Sequence, residues 1–432
     1  MSEEKLVPKL RFMEWTSNWN ICKIGDIAEI IGGGTPRTEI DSYWDGDIKW
    51  FTPSEIGKSK YIFESERHIT EKGLKNSSAK LLPKYTILLS SRASVGEVSI
   101  ALTECSTNQG FQSLITKNNV DNEFIYYLIS TMKNEFLKKS SGSTFLEISK
   151  NELKRININI PTLDEQKRIS DFFSTLDNKI KLLNNKHKYY QDFKKYLLQQ
   201  IFTSAEKLQF DFNEEWREVT FKELLIELNE KTTTNNQHKI LSSTKEGIFS
   251  QKEYFANRNV ASKDNTGYKI LRKNQIVLSP QNLWMGNINV NTDFEIGIVS
   301  PSYKIYETTD LVEINYFKHI IKLSRLIYEY KCASEQGASI VRRNLNKQLF
   351  EEIKINIPSL KEQEKIANFL SAVDKKIDLI QTQIDEMEKF KKGLLQQMFI
   401  SRINSLIIIT IILISLESSH VFRFFLDVWD AV

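Results

Sequence analysis

The residues able to do chemistry in this chain are few, and most of their spacings fail the chemistry they suggest. Gly32-Gly33-Gly34-Thr35-Pro36 could offer bare backbone to a phosphate. It lacks the GxxxxGK spacing, and no GxGxxG joins a strand to a helix, so the stretch reads as a tight turn. Glu165-Gln166-Lys167 has the acidic-x-Lys look of a metal nuclease, but its counterpart further along is Glu362-Gln363-Glu364. Helix capping accounts for the Glu in both. His68, His187, His238, His319 and His420 show no paired spacing, and Cys22, Cys105 and Cys332 form no CxxC, so no metal site is visible. No Ser/His/Asp or Cys/His arrangement stands out.

Two polar loops remain, Lys138–Thr144 (KKSSGST) and Gln336–Asn344 (QGASIVRRN). Small residues let backbone approach closely, and Arg342-Arg343 add positive charge, which suits phosphate or base-edge contact. An ordinary solvated loop explains either one alone. Their equivalent places in two otherwise diverged blocks favour binding.

With 59 Lys and Arg against 55 Asp and Glu, the 432 residues carry a formal charge of +4. That is too weak to imply nucleic acid by itself. Hydrophobic content of 41% excludes wholesale disorder, and the length suits several domains. The cysteine usage and the polar segment Met1 to Lys9 point to a cytoplasmic protein.

The blocks belong to a tandem duplication. Ile156–Phe202 and Ile353–Phe399 align without a gap at a constant offset of 197, with 23 of 47 positions identical. Leu10-Arg11-Phe12 leading to Trp19 is echoed by Leu208-Gln209-Phe210 leading to Trp216, whereas the middles diverge. Each repeated segment reads as a helix of about 40 residues, roughly 60 Å long. A heptad seam runs through Ile169, Phe173, Leu176, Ile180, Leu183, Tyr190, Leu197 and Ile201, interrupted by His187 and Lys194. In the second copy Lys391 interrupts where Lys194 does. Thr162 with Glu165, and Ser359 with Glu362, form capping-box starts after Pro161 and Pro358.

Such stripes must pair to stay dry. A handful of residues separates Phe202 from the second block, so that block lies at the far end of the first helix. The second helix must run back antiparallel. The predicted fold class is α+β: two globular domains separated by an antiparallel two-helix coiled coil, with internal pseudo-two-fold symmetry. Its divisions are 1–160, a central helix 161–204, a second domain 205–357, a distal helix 358–400 and an apolar tail 401–432. Short runs at Ile27–Ile31, Tyr85–Leu89 and Val98–Leu102 predict strands, and Glu313 to Tyr330 predicts one helix.

These features together resemble the specificity (S) subunit of type I restriction-modification enzymes. The resemblance rests on Gly33-Gly34-Thr35-Pro36, Tyr43-Trp44, the segment Asp47 to Pro53, Leu89 to Gly96 and Thr107-Asn108-Gln109-Gly110. Ile160-Pro161 with Glu165-Gln166, and Ile357-Pro358 with Glu362-Gln363, complete it. It covers residues 8 to about 400. The resemblance implies a non-catalytic subunit whose two target-recognition domains each read half of an asymmetric bipartite site in double-stranded DNA. The helix pair would set the spacer and dock two methyltransferase (M) subunits, which restriction (R) subunits join. No cofactor is expected on this chain; S-adenosylmethionine, ATP and Mg belong to the partners.

Candidate contacts in the first domain are Thr52, Ser54, Ser91, Arg92, Ser94, Gln109 and the loop Ser141, Gly142, Ser143, Thr144. In the second they are Lys245, Gln281, Asn282, Trp284, Arg342, Arg343 and Asn344. Gln and Asn can bind adenine, Arg guanine, and Lys phosphate. Several of these also suit turn or packing roles. Gln281-Asn282-Leu283-Trp284 stands where the first domain has Ser91-Arg92-Ala93-Ser94, so roles do not transfer between the domains. Two other readings stay open: a self-contained nuclease or methyltransferase with drifted motifs, and a coiled-coil adaptor with two protein-binding heads. In the tail, Leu406–Leu416 falls short of the ~20 residues that span a bilayer and is assigned no function.

Overall fold

A computed structural model describes residues 8–142, 146–203, 215–256, 262–336 and 343–399. Ser143, Thr144, Arg342, Leu208–Phe210 and the tail lie outside the described residues. The chain divides into two compact units. The first holds described residues up to Asn185 with those from Gln381, and the second Lys186–Ile380.

Four helices organise the description: α1 (Asn122–Thr131), α2 (Leu163–Phe202), α3 (Ile314–Ile320) and α4 (Leu360–Phe399). In the first unit a five-stranded sheet has the order Ala28–Gly32, Gln112–Thr116, Ile87–Leu89, Val98–Ala101, Tyr61–Ile62. A three-stranded sheet places Trp44–Phe51 between Arg67–Ile69 and Cys105–Thr107. The second unit has a four-stranded sheet of Leu225–Leu228, Lys304–Thr308, Ile276–Leu278 and Ile288–Val290. The apolar run Lys269–Leu278 forms two strands, separated by a turn in which Asn274 takes φ 63°. The expected helix from Glu313 to Tyr330 is also two pieces, α3 and Ser324–Cys332. The break is sealed where the buried Tyr330 hydroxyl donates to the Ile321 carbonyl at 3.0 Å.

The repeat is exact where blocks meet helices. Asn20–Lys23 pairs antiparallel with Asn157–Ile160, and Arg217–Thr220 with Lys354–Ile357, in registers displaced by the same offset. In the first unit early turns of α2 face late turns of α4. The Phe173 and Phe399 rings lie 5.9 Å apart, and Lys391, the seam interruption, meets Asp177. In the second unit the late turns of α2 face the early turns of α4, and Lys194 bonds Asp374 at 2.5 Å. The helices are therefore antiparallel, and each seam lysine has its carboxylate. A polar pair within an apolar seam favours one register over slipped ones.

Each α2/α4 start is latched to its block. Gln166 donates to the Pro161 carbonyl and accepts from the Asp121 amide, the N-cap of α1, both at 2.9 Å. Gln363 does the same with Pro358 and Glu313, the N-cap of α3. Glu165 corrects the capping reading. Wholly buried, it takes Arg11 Nε at 2.6 Å and Nη2 at 2.7 Å, with Trp19 Nε1 at 3.2 Å. The carboxylate is held by tertiary partners because a buried charge needs a countercharge. In the second copy Trp216 Nε1 donates to Glu362 at 3.4 Å.

Candidate nucleic-acid interface

In the first unit three loops converge. The connection from Ile87–Leu89 to Val98–Ala101 doubles back through Ser90, whose amide donates to the Glu97 carbonyl at 2.9 Å and whose hydroxyl accepts from the Glu97 amide at 2.9 Å. Ala93 and Gly96 both take positive φ there, and a Cβ at Gly96 would meet Lys133. Arg92, Ala93 and Ser94 form the apex. The Ser91 amide donates to the Gly110 carbonyl at 2.7 Å, tying in the loop that holds Asn108 and Gln109. The Asn108 amide donates to the Phe51 carbonyl at 3.1 Å, which brings up Thr52 and Ser54.

The result is an open concavity of about 750 Å³, lined by Pro53, Ser54, Arg92, Ser94, Asn108 and Gln109 among others. Four of the expected residues thus share one surface. Thr52 stands beside it with its hydroxyl on Glu55 at 2.7 Å and 3.0 Å from Ser54 Oγ. Ser91 is fully buried beneath, so it packs rather than faces solvent. Ser141 and Gly142 are exposed, and Ser141 exchanges backbone bonds with Glu147. Glu147 approaches Arg92 at 3.9 Å, and the Ile148 amide donates to the Ser91 carbonyl. The glycines at 33 and 34 act by close approach: a Cβ at Gly33 would lie 2.0 Å from the Asn108 carbonyl.

The second unit brings the corresponding two loops together with bonds of its own and different side chains. The loop from Ile276–Leu278 to Ile288–Val290 closes through the Ser279 amide on the Asn287 carbonyl at 3.0 Å. The Arg343 amide donates to the Gln281 carbonyl at 3.3 Å, as Ile148 does to Ser91. Arg343 lies over the Trp284 ring, 5.0 Å from its centroid, a cation–π arrangement that holds the guanidinium plane. Its Nε is buried without a hydrogen-bond partner among the described residues. Gln281 and Asn344 are exposed, while Asn282 and Trp284 are half-buried. Lys245 is exposed at the tip of the Ser243–Ile248 hairpin, whose Ser243 bonds Asn287 at the end of the Gln281 loop.

Beside these surfaces lie two buried polar clusters that residue spacing does not reveal. In the first unit Lys60 Nζ contacts Glu123 at 2.6 Å, Ser174 at 2.8 Å and Tyr127 at 2.9 Å, and Tyr127 donates to Asp177 at 2.6 Å. Burial pushes the Lys60 ammonium down, Glu123 opposing. Burial alone would raise Glu123, but bonds from Lys60, Ser174 and Tyr61 hold it below the usual carboxylate range. At the matching place in α3, His319 meets Ser371 at 3.2 Å and Asp374 at 3.7 Å. Burial, reinforced by Lys194, lowers this imidazole to about 4. Among the described residues no group of three or more His, Cys, Asp or Glu could hold a metal ion, and no helix is long and apolar enough to cross a membrane.

Residues 16–189 and 191–389 each match the family described as the type I restriction modification DNA specificity domain. The chain belongs to that family. A Methanocaldococcus jannaschii protein named the type I restriction enzyme MjaIX specificity subunit is 45% identical over 175 residues, spanning 40% of each chain. A second from the same organism, the putative type I restriction enzyme MjaX specificity subunit, is 23% identical over 432 residues, covering 93% of this chain and 97% of its own. The crystal structure of the type I restriction-modification system S subunit from M. genitalium superposes with a TM-score of 0.55 at 18% identity, covering 92% of this chain and all of that one, and so shares its fold. Both matched segments include a recognition block and one long helix, so the family's unit is the duplicated unit seen in the sequence.

Proposed function

We propose that this chain is the DNA-specificity subunit of a type I restriction-modification complex, each block reading one half of an asymmetric bipartite site. The observation that carries the reading is the shared loop placement of two diverged blocks: in both, a backbone bond brings the segment before the long helix onto the hairpin loop, while the side chains presented there differ. Ser54, Arg92, Ser94 and Gln109 would meet one half-site, and Gln281, Trp284 and Arg343 the other. Arg and Gln can engage purine edges bidentately in the major groove, and the hydroxyls position phosphate. The antiparallel helices would set the spacer and dock two methyltransferase subunits, with restriction subunits joining them. Methyl transfer and ATP-driven cleavage, with S-adenosylmethionine, ATP and Mg, would reside on those partners in the cytoplasm.

The test is a block exchange. Residues 18–160 are replaced by those of another family member, the chain is combined with its methyltransferase partner, and methylated sites are mapped by sequencing. One half-site should change and the other persist. A change in both halves, or methyl transfer by the isolated chain, would overturn the proposal. The adaptor reading predicts no salt-dependent DNA affinity of the assembled complex.

A further inference from the structure

The second unit holds a polar cluster where its contact loop meets the Ser243–Ile248 hairpin. Ser243 Oγ donates to Asn287 Oδ1 at 2.7 Å, and Asn287 Nδ2 returns a bond to the Ser243 carbonyl at 2.9 Å. Asn289 Nδ2 donates to Ser243 Oγ and to the Thr244 carbonyl, both at 2.8 Å. Lys322, half-buried, completes it: Nζ donates to Asn289 Oδ1 at 2.6 Å and to the backbone carbonyl of Lys245 at 2.8 Å. Asn287 ends the loop that carries Gln281, and Asn289 lies in the strand Ile288–Val290 that follows it; Thr244 and Lys245 are at the hairpin tip. Lys322 therefore joins two segments 77 and 33 residues away in sequence.

We infer that Lys322 is a positioning residue for the second half-site: it fastens the Lys245 hairpin tip to the loop carrying Gln281, Asn282 and Trp284, so that both meet DNA in one fixed arrangement. The inference rests on the proposed DNA reading. A lysine is a costly residue to bury, and an apolar side chain would fill the site more cheaply if filling were its whole task. Two of its three donors instead go to the backbone carbonyl of Lys245 and to the side-chain amide oxygen of Asn289. Burial depresses its pKa while Glu246, on the same tip, opposes. Nine residues past the matching N-cap, Asp121, the counterpart of Lys322 is Ser130 in α1, whose hydroxyl returns to the Tyr127 carbonyl of its own helix at 2.7 Å. The fastening belongs to one reading head.

The experiment uses the full chain assembled with its methyltransferase partner and duplexes carrying the mapped site, each with single substitutions in one half. Lys322→Met should cut discrimination at the second half-site by about tenfold, one bidentate contact's worth, and leave the first unchanged. Lys322→Arg, which keeps a charged donor, should recover most of it. Lys245→Ala added to Lys322→Met should cost nothing further, because the tip is already unfastened. Equal losses at both half-sites, full additivity with Lys245→Ala, or failure of Lys322→Arg to recover discrimination would each overturn the inference. If the unaltered complex discriminates at neither half-site, the DNA reading itself falls, and this inference with it.

Discussion

Glu165 offers the sharpest test of how a recognition block is held to its helix. Its carboxylate has no solvent exposure and receives two bonds from Arg11, 2.6 and 2.7 Å, and one from Trp19 at 3.2 Å. Arg11 is itself 10% exposed at its side chain, so neither charge can fall back on water. Removing one partner of such a pair leaves the other buried and uncompensated, a loss of about 3–5 kcal/mol. Glu165→Leu should therefore cost that much. Arg11→Met should cost a similar amount, because it strands the carboxylate. The double variant replaces the ion pair with apolar side chains of similar volume, and such replacements are often close to neutral. It should lie at least 2 kcal/mol above the sum of the two singles. Urea unfolding of the full chain, followed by tryptophan fluorescence that includes Trp19, measures all four corners of the cycle. Additive losses would refute the clamp and return Glu165 to a local capping role. Single losses near 1 kcal/mol, the size of a cap, would do the same.

Four further expectations can be checked together. Lys194→Met should destabilise, and its coupling to Asp374→Asn should be about 1–2 kcal/mol, measured by the same denaturant cycle. His319 is neutral in the folded protein because its pKa is held near 4, whereas the unfolded chain takes up the proton below about 6.5; stability is thus present above 6.5 and lost as pH falls toward 4. Unfolding midpoints at pH 7.5 and 5 should show up to about 2 kcal/mol more loss for the native chain than for His319→Gln. Arg343→Lys gives up the planar fork over Trp284 and should relax one position of the second half-site by about 1–3 kcal/mol in a competition binding assay. Four residues inserted into each of α2 and α4 should lengthen the mapped spacer by roughly 6 Å, about two base pairs, and an unchanged spacer would remove the helices from that role.

The architecture was legible because its signals are periodic and duplicated. A heptad seam interrupted by lysines at matching places, preceded each time by proline, announces two long helices that must pair, and Lys194 and Lys391 do meet Asp374 and Asp177. The loops at Arg92 and Gln281 lie in the diverged middles, where the family resemblance rather than the repeat points to them. What stayed hidden depends on depth. Ser91 sits one residue from the exposed Arg92, and nothing local says that its neighbour turns out while it turns in. Glu165 carries the local signature of a cap, and its partner Arg11 lies 154 residues away. Lys322 looks like any surface lysine until the fold brings Asn289 and the Lys245 carbonyl to it.

Gln166 and Gln363 grip their blocks through main-chain atoms: a proline carbonyl behind and a helix-leading amide ahead. The residues presenting those amides, Asp121 and Glu313, differ. This part of the socket reads only backbone and is indifferent to side chains, whereas Glu165 beside it selects the Arg11 and Trp19 side chains. A new head joined at the 160/161 seam would keep the Gln166 grip whatever its side chains, but would have to bring its own partners for Glu165, Ser174 and Asp177.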